Sequence, residues 1–205
     1  LLSLLSVGVW LAILLQFSAS WRRWPAVAAA LVLGMISAFL TLYLVYIQEH
    51  IRGFRETGVL AHDLLYCIAG IGLREEAAKG VCLLPLLPLA IRARSPLLAL
   101  VLGATVGMGF ALQENAGYFD SDGGGVGWGR FLTATFMHLS MTGIVGLAFY
   151  RLAMAPKRNW ENCLIDLLSV VVIHGMYDAF LICPQLDEYA FASLFFLAYL
   201  AHRFF

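Results

Sequence analysis

Charge is scarce in this chain. Only 13% of its 205 residues are Asp, Glu, Lys or Arg, about half the share of an average soluble domain. The 13 bases balance the 13 acids, so no net basic character points to a nucleic-acid partner. Cysteine is sparse too: Cys67, Cys82, Cys163 and Cys183 form no C-x-x-C pair. That argues against a zinc ribbon and against a disulfide framework, and the four read as small buried apolar residues. No segment alternates with the period of a membrane strand, which speaks against a β-barrel. An internal repeat and a soluble appendage are lacking as well. The first apolar run ends at Arg22 and Arg23 with no small-residue cleavage pattern, so it reads as a span and not as a cleavable signal. The chain opens at Leu1 without a methionine, which leaves the position of the native N-terminus open.

What is present is apolar length. Hydrophobic residues make up 61% of the chain and the mean hydropathy is +0.84, more than a water-facing surface can carry. The lipid bilayer must cover most of it. A spanning helix needs about 20 apolar residues. Seven runs qualify or come close: Leu1 to Ser18, Ala26 to Ile47, Asp63 to Ile91, Pro96 to Phe119, Arg130 to Leu152, Cys163 to Ile182 and Tyr189 to Ala201. The third is long enough to tilt or break. The expected fold is an all-α transmembrane bundle of about seven spans. It forms one domain, residues 1 to 205, with the polar motifs confined to about 60 to 182. Trp21, Trp24, Trp128 and Trp160 fall near the expected interfaces, where aromatic anchors belong.

Basic residues set the orientation, because cytoplasmic loops carry the Lys/Arg excess. Arg22 and Arg23, then Arg92 and Arg94, then Arg151, Lys157 and Arg158 occupy alternate loops. The intervening loops offset Arg52 and Arg55 with Glu49 and Glu56, or carry acids, as at Asp120 and Asp122 and again at Asp187 and Glu188. The N-terminus is therefore expected outside and the C-terminus in the cytoplasm.

A charge at mid-bilayer costs several kcal/mol, so intramembrane polar residues are paired or functional. Four spans carry them: Arg74-Glu75-Glu76 with Lys79, then Glu114-Asn115, then His138, then His174 with Asp178. Counted from the expected span ends, they fall roughly 8–12 Å below the outer surface. Glu75 and Lys79 share a helix face, as do His174 and Asp178, whereas Glu76 is rotated about 100° from Glu75. Each pair alone also suits a helix-packing salt bridge or hydrogen bond. Asp63 and His62 stand at a span end and are expected to be solvated. Gly103 and Gly107 form a G-x-x-x-G pattern for close helix packing. Ser140 and Thr142 are expected to bond to helix carbonyls.

The ordered set E-E-x-x-K, F-x-x-x-E-N, His, H-x-x-x-D resembles the PrsW family of intramembrane proteases. It is carried by Glu75, Glu76 and Lys79; Phe110, Glu114 and Asn115; His138; and His174 and Asp178. The wider group of CAAX prenyl proteases and bacteriocin-processing membrane proteins has E-E-x-x-x-R, F-x-x-x-H and H-x-x-x-N/D. Here a nearer Lys replaces the Arg and Glu114 stands at the first histidine, which favours PrsW. The resemblance implies hydrolysis of a membrane-anchored protein substrate near the outer face of a bacterial cell membrane. The family name refers to a transmembrane anti-sigma factor.

Peptide hydrolysis needs an activated water, an oxyanion stabiliser and a proton donor. No serine or cysteine has an evident base. Two histidines and a carboxylate compose a catalytic zinc site, and Glu114, His138 and His174 supply that set for Zn2+. Glu75 is then the expected general base. Glu76 pairs with Lys79 or Arg74 or joins the metal, and Asp178 orients His174. In a metal-free alternative, a glutamate activates water while His174 and Asp178 stabilise the oxyanion. A proton- or ion-coupled transporter or a non-enzymatic helical scaffold would use the same buried groups.

Overall fold

A computed structural model describes residues 2–16, 24–121, 127–155 and 159–204. Every regular element among them is helical. The helices are α1 (Leu2–Gln16), α2 (Trp24–Val45), α3 (Leu60–Leu65), α4 (Leu73–Leu83), α5 (Leu87–Ala93), α6 (Pro96–Ser121), α7 (Gly127–Met154), α8 (Trp160–Ile182) and α9 (Ser193–Phe204). Four stretches are long and apolar enough to cross a membrane: Trp24–Ile51, Pro96–Gly117, Thr133–Met154 and Trp160–Ile182. Leu4–Leu14 and Glu188–Leu200 are shorter apolar helical stretches. The expected count of about seven is thus a loose one.

The remaining segment is composite. From Leu60 to Ala93 the chain stays helical, but α3 passes into α4 through a π-helical stretch, Tyr66–Gly72, and α4 into α5 through a 3-10 turn, Leu84–Leu86. Pro85 and Pro88, each lacking an amide hydrogen, sit where α4 and α5 are interrupted. The segment covers about 50 Å at 1.5 Å per residue, well beyond a bilayer core of about 30 Å. Its acids and bases keep it from being an apolar helix, yet those of α4 turn into the bundle. Glu75, Glu76 and Lys79 are all buried.

α6 is the most enclosed of the long helices. It packs against α7 along one side and α2 along another, and α1 crosses both α6 and α7. The G-x-x-x-G pattern explains the α6–α7 seam. A Cβ on Gly107 would stand 2.2 Å from the His138 carbonyl oxygen, and one on Gly103 would stand 2.3 Å from that of Thr142. Only glycine lets these backbones meet. α8 rests on the π-helical stretch, where a Cβ on Gly175 would lie 2.4 Å from Ile68 Cα. Polar side chains bind α1, α6 and α7 in one layer: Ser6 Oγ lies 2.8 Å from Thr135 Oγ1, and Asn115 Nδ2 donates to that oxygen at 3.3 Å.

Several local expectations change. Asp63 is buried, accepting from the Thr57 and Gly58 amides at 2.8 and 2.9 Å. The turn folds back over the helix start and desolvates it. Ser140 and Thr142 hydroxyls have no hydrogen-bond partner among the described residues, whereas Thr105 makes the expected back-bond, to Val101 O at 2.8 Å. All four cysteines are free and buried. Trp24 and Trp160 begin their helices and are highly exposed, as interfacial anchors are. Arg22, Arg23, Trp21, Asp122, the Gly123–Gly125 run, Lys157 and Arg158 lie outside the described residues.

Candidate active site

The polar residues of the four segments meet in one buried cluster. Lys79, with no exposed surface, is its centre. Its Nζ lies 2.8 Å from Glu76 Oε1, 3.4 Å from Glu75 Oε2 and 2.9 Å from His138 Nδ1. It also sits 3.9 Å from the centroid of the Phe110 ring, a cation–π contact. That contact gives the phenylalanine of F-x-x-x-E-N a physical role, since it caps a buried ammonium that two carboxylates alone do not enclose.

Partner chemistry fixes the two imidazoles. An ammonium only donates, so His138 Nδ1 accepts from Lys79. Its Nε2–H then donates to Glu114 Oε2 at 2.9 Å. A carboxylate only accepts, so His174 Nδ1 carries the hydrogen shared with Glu76 Oε1 at 2.8 Å. The two histidines therefore protonate opposite nitrogens. His174 Nε2 faces two further carboxylates, Asp178 Oδ2 at 3.3 Å and Glu75 Oε2 at 3.4 Å. The rings are 5.3 Å apart, edge to face.

This arrangement fits a divalent cation. Glu75, His138 and His174 each present a ligand atom, and those atoms lie within 4.8 Å of one another. Two histidines and a carboxylate form a recognised catalytic-metal donor set. His174 Nε2 points among carboxylate oxygens, and Asp178 Oδ2 and Glu76 Oε2 are buried without a hydrogen-bond donor. A cation held there, or a second proton on His174, would offset that concentration of negative charge. His138 has both nitrogens engaged, so it can ligate only when the Lys79 or the Glu114 contact opens.

The sequence-derived ligand set was Glu114, His138 and His174, with Glu75 as base. The structure places Glu75 in the compact set with both histidines and holds Glu114 on His138. Asp178 was expected to orient His174; Glu76 holds the Nδ1 side, and Asp178 shares the Nε2 side with Glu75. The pairing of Lys79 with Glu76 was readable at spacing i, i+3, whereas its contact with His138 joins residues 59 positions apart and has no local signal.

Neighbouring helices set the depth of the cluster. Glu114 is about 10 Å from the end of α6, His138 about 16 Å from the start of α7 and His174 about 12 Å from the end of α8, at 1.5 Å per residue. All three ends lie on one side of the bundle. The spread exceeds the expected 8–12 Å because α7 begins at Gly127, three residues before the expected start.

Comparison with known proteins places this constellation. The model of the PrsW family of intramembrane metalloproteases matches residues 22–202. The chain belongs to that family. The family match takes in every residue of the cluster. Protease PrsW of Halalkalibacterium halodurans is 26% identical over 143 residues, which are 70% of this chain and 66% of that protein. The chain thus matches just under two thirds of that relative's length. No solved structure matches it.

Proposed function

We propose that the chain is a metal-dependent endopeptidase of a bacterial cell membrane that cuts a membrane-anchored protein close to one membrane face. The observation that carries this reading is the meeting of Glu75, His138 and His174 within 4.8 Å beside a cleft that Glu75 and Glu114 both line. The first substrate class to test is the transmembrane anti-sigma factor that the family name implies.

A zinc ion held by His138, His174 and Glu75 would supply a nucleophilic water at neutral pH and polarise the substrate carbonyl. Glu76 fixes the tautomer and ring orientation of His174. Lys79 offsets one of the two negative charges of the Glu75 and Glu76 pair. Glu114 reaches the cleft and has 23% of its side chain exposed, so its carboxylate would be placed to accept a proton from the attacking water and to return it to the departing amine. Asp178 is the remaining carboxylate beside His174 Nε2. The apolar wall of the cleft limits bulk water around these charges.

The roles of Glu75 and Glu114 reverse in a second reading, which Glu75's own place in the cleft favours. One measurement separates them. In purified protein, a Glu75→Gln variant should lose bound zinc by elemental analysis, and a Glu114→Gln variant should keep it. Cleavage should fall by roughly 10²–10⁴-fold in the variant that lacks the base. His174→Ala should lose both metal and cleavage. Full cleavage by both Glu75→Gln and Glu114→Gln proteins would remove these two glutamates from the water-activating role. The transporter alternative expects unwound half-helices at mid-membrane, yet Leu60 to Ala93 stays helical through its π and 3-10 turns.

A further inference from the structure

Between α2, α4 and α6 lies a cleft of about 370 Å³, running from the apolar side chains of Leu42 and Phe110 to the carboxylates of Glu75 and Glu114. Two of its lining groups take no part in the proposed chemistry. Arg74 reaches the Tyr66 hydroxyl, but its Nε and Nη1 are buried with no hydrogen-bond partner among the described residues. Thr41 is 5% exposed, and its Oγ1 is equally unpartnered. A mid-helix threonine ordinarily bonds back to a carbonyl of its own helix; Thr41 does not. Buried donors without acceptors are costly, and two of them on the wall of one cleft mark where a ligand completes the hydrogen bonding.

The missing acceptor can be described. Arginine donates only. Arg74 is linked to an acid only through one hydroxyl, since Tyr66 in turn donates to Glu49. The Nε and Nη1 hydrogens left unmet face a cleft whose wall is largely apolar, and main-chain carbonyl oxygens of an apolar segment are acceptors that suit both. The rest of the wall is apolar and suits apolar side chains. An intact helix offers free carbonyls only in its last turn, so the segment that fits is locally unwound.

We propose that Arg74 and Thr41 form the substrate-binding edge of this cleft, donating hydrogen bonds to main-chain carbonyls of an unwound, apolar segment of a membrane-anchored polypeptide laid between α2 and α6. The proposal rests on the protease reading and adds which substrate atoms are gripped. Both residues position the substrate beside Glu75 and Glu114; neither takes part in proton transfer.

The test uses the full chain in proteoliposomes. The probe is a single-span reporter, selected for cleavage by the wild type from a library randomised at the external end of its span. Arg74→Met and Thr41→Val should each raise KM about ten- to a hundredfold, with kcat within about threefold of wild type. Arg74→Lys should recover part of the loss. Thr41→Val is isosteric and carries the test if Arg74→Met does not fold. In a Glu75→Gln background, a photocrosslinking residue at Leu42 should capture the reporter, and one at Leu164, exposed on α8, should not. An unchanged KM in the Arg74 and Thr41 variants overturns the proposal and leaves the protease reading intact. A lowered kcat with unchanged KM overturns it too, because these side chains would then act on the reaction. Failure of the wild type to cut any library member, with intact zinc binding, defeats the protease reading itself and this proposal with it.

Discussion

Lys79 is an ammonium without an exposed atom, held by Glu75, Glu76, His138 and the face of Phe110. Removing one partner of a buried ion pair leaves an uncompensated charge, which costs about 3–5 kcal/mol. Lys79→Met should therefore lower stability by that order in detergent, read by thermal unfolding, even where zinc still binds. Glu76→Gln probes a different role. The amide still fills the space but no longer provides a carboxylate for His174 Nδ1, and loss of such a partner costs about 10–100-fold in metal affinity. Metal titration of the purified variant checks this, and an unchanged affinity would show that Glu76 does not orient a ligand. The residues of the cluster were legible in the sequence because charge is so costly among apolar neighbours. Their partners were not. Whether His174 meets Glu76 or Asp178 on a given nitrogen depends on helix rotation across 98 residues, and spacing within one helix says nothing of that.

At the scale of the element, the π-helical stretch Tyr66–Gly72 decides that rotation. A π turn takes an extra residue, which shifts the following helix by about one position, near 100°. It lets α4 aim Glu75 and Glu76 together at His174 while α3 keeps Asp63 in its own turn. α8 can lie against the stretch only because residue 175 is glycine, with Ile68 Cα 2.4 Å from where a Cβ would be and Cys67 O 2.6 Å from it. Gly175→Ala should thus force α8 outward, next to the histidine it carries. The expected loss is about 1–3 kcal/mol of stability, with a matching fall in zinc affinity. Gly8→Ala is the contrast, since nothing stands within 4 Å of its would-be Cβ, and it should be neutral or slightly stabilising. Equal melting temperatures for the two variants would mean the α8 contact is loose. The sequence exposed the long apolar runs and the G-x-x-x-G seam through plain periodicity. It hid the π stretch, whose residues Tyr-Cys-Ile-Ala-Gly-Ile-Gly would serve equally well as α-helix; packing against α8, a non-local cause, selects the wider turn.

For the whole molecule, the open question is which membrane face the cluster serves. The ends of α6 and α8, the start of α7 and the turn before α3 lie together on one side, where Gln185 Nε2 donates to Gly58 O at 2.8 Å and joins two connections. The bases Arg92, Arg94 and Arg151 lie towards the other side. Lys/Arg-rich loops stay in the cytoplasm, so the cluster should open to the outside. All four native cysteines are buried, which permits labelling of single introduced thiols in intact cells with a membrane-impermeant maleimide. Arg55→Cys, in the exposed turn on the cluster's side, should label without permeabilisation. Arg92→Cys, exposed near the end of α5, should label only after it. The reverse pattern would put the cluster on the cytoplasmic side and replace an external substrate segment with an internal one. Labelling of both sites in intact cells would show that the two turns share one face and would overturn a membrane-crossing course for Leu60 to Ala93.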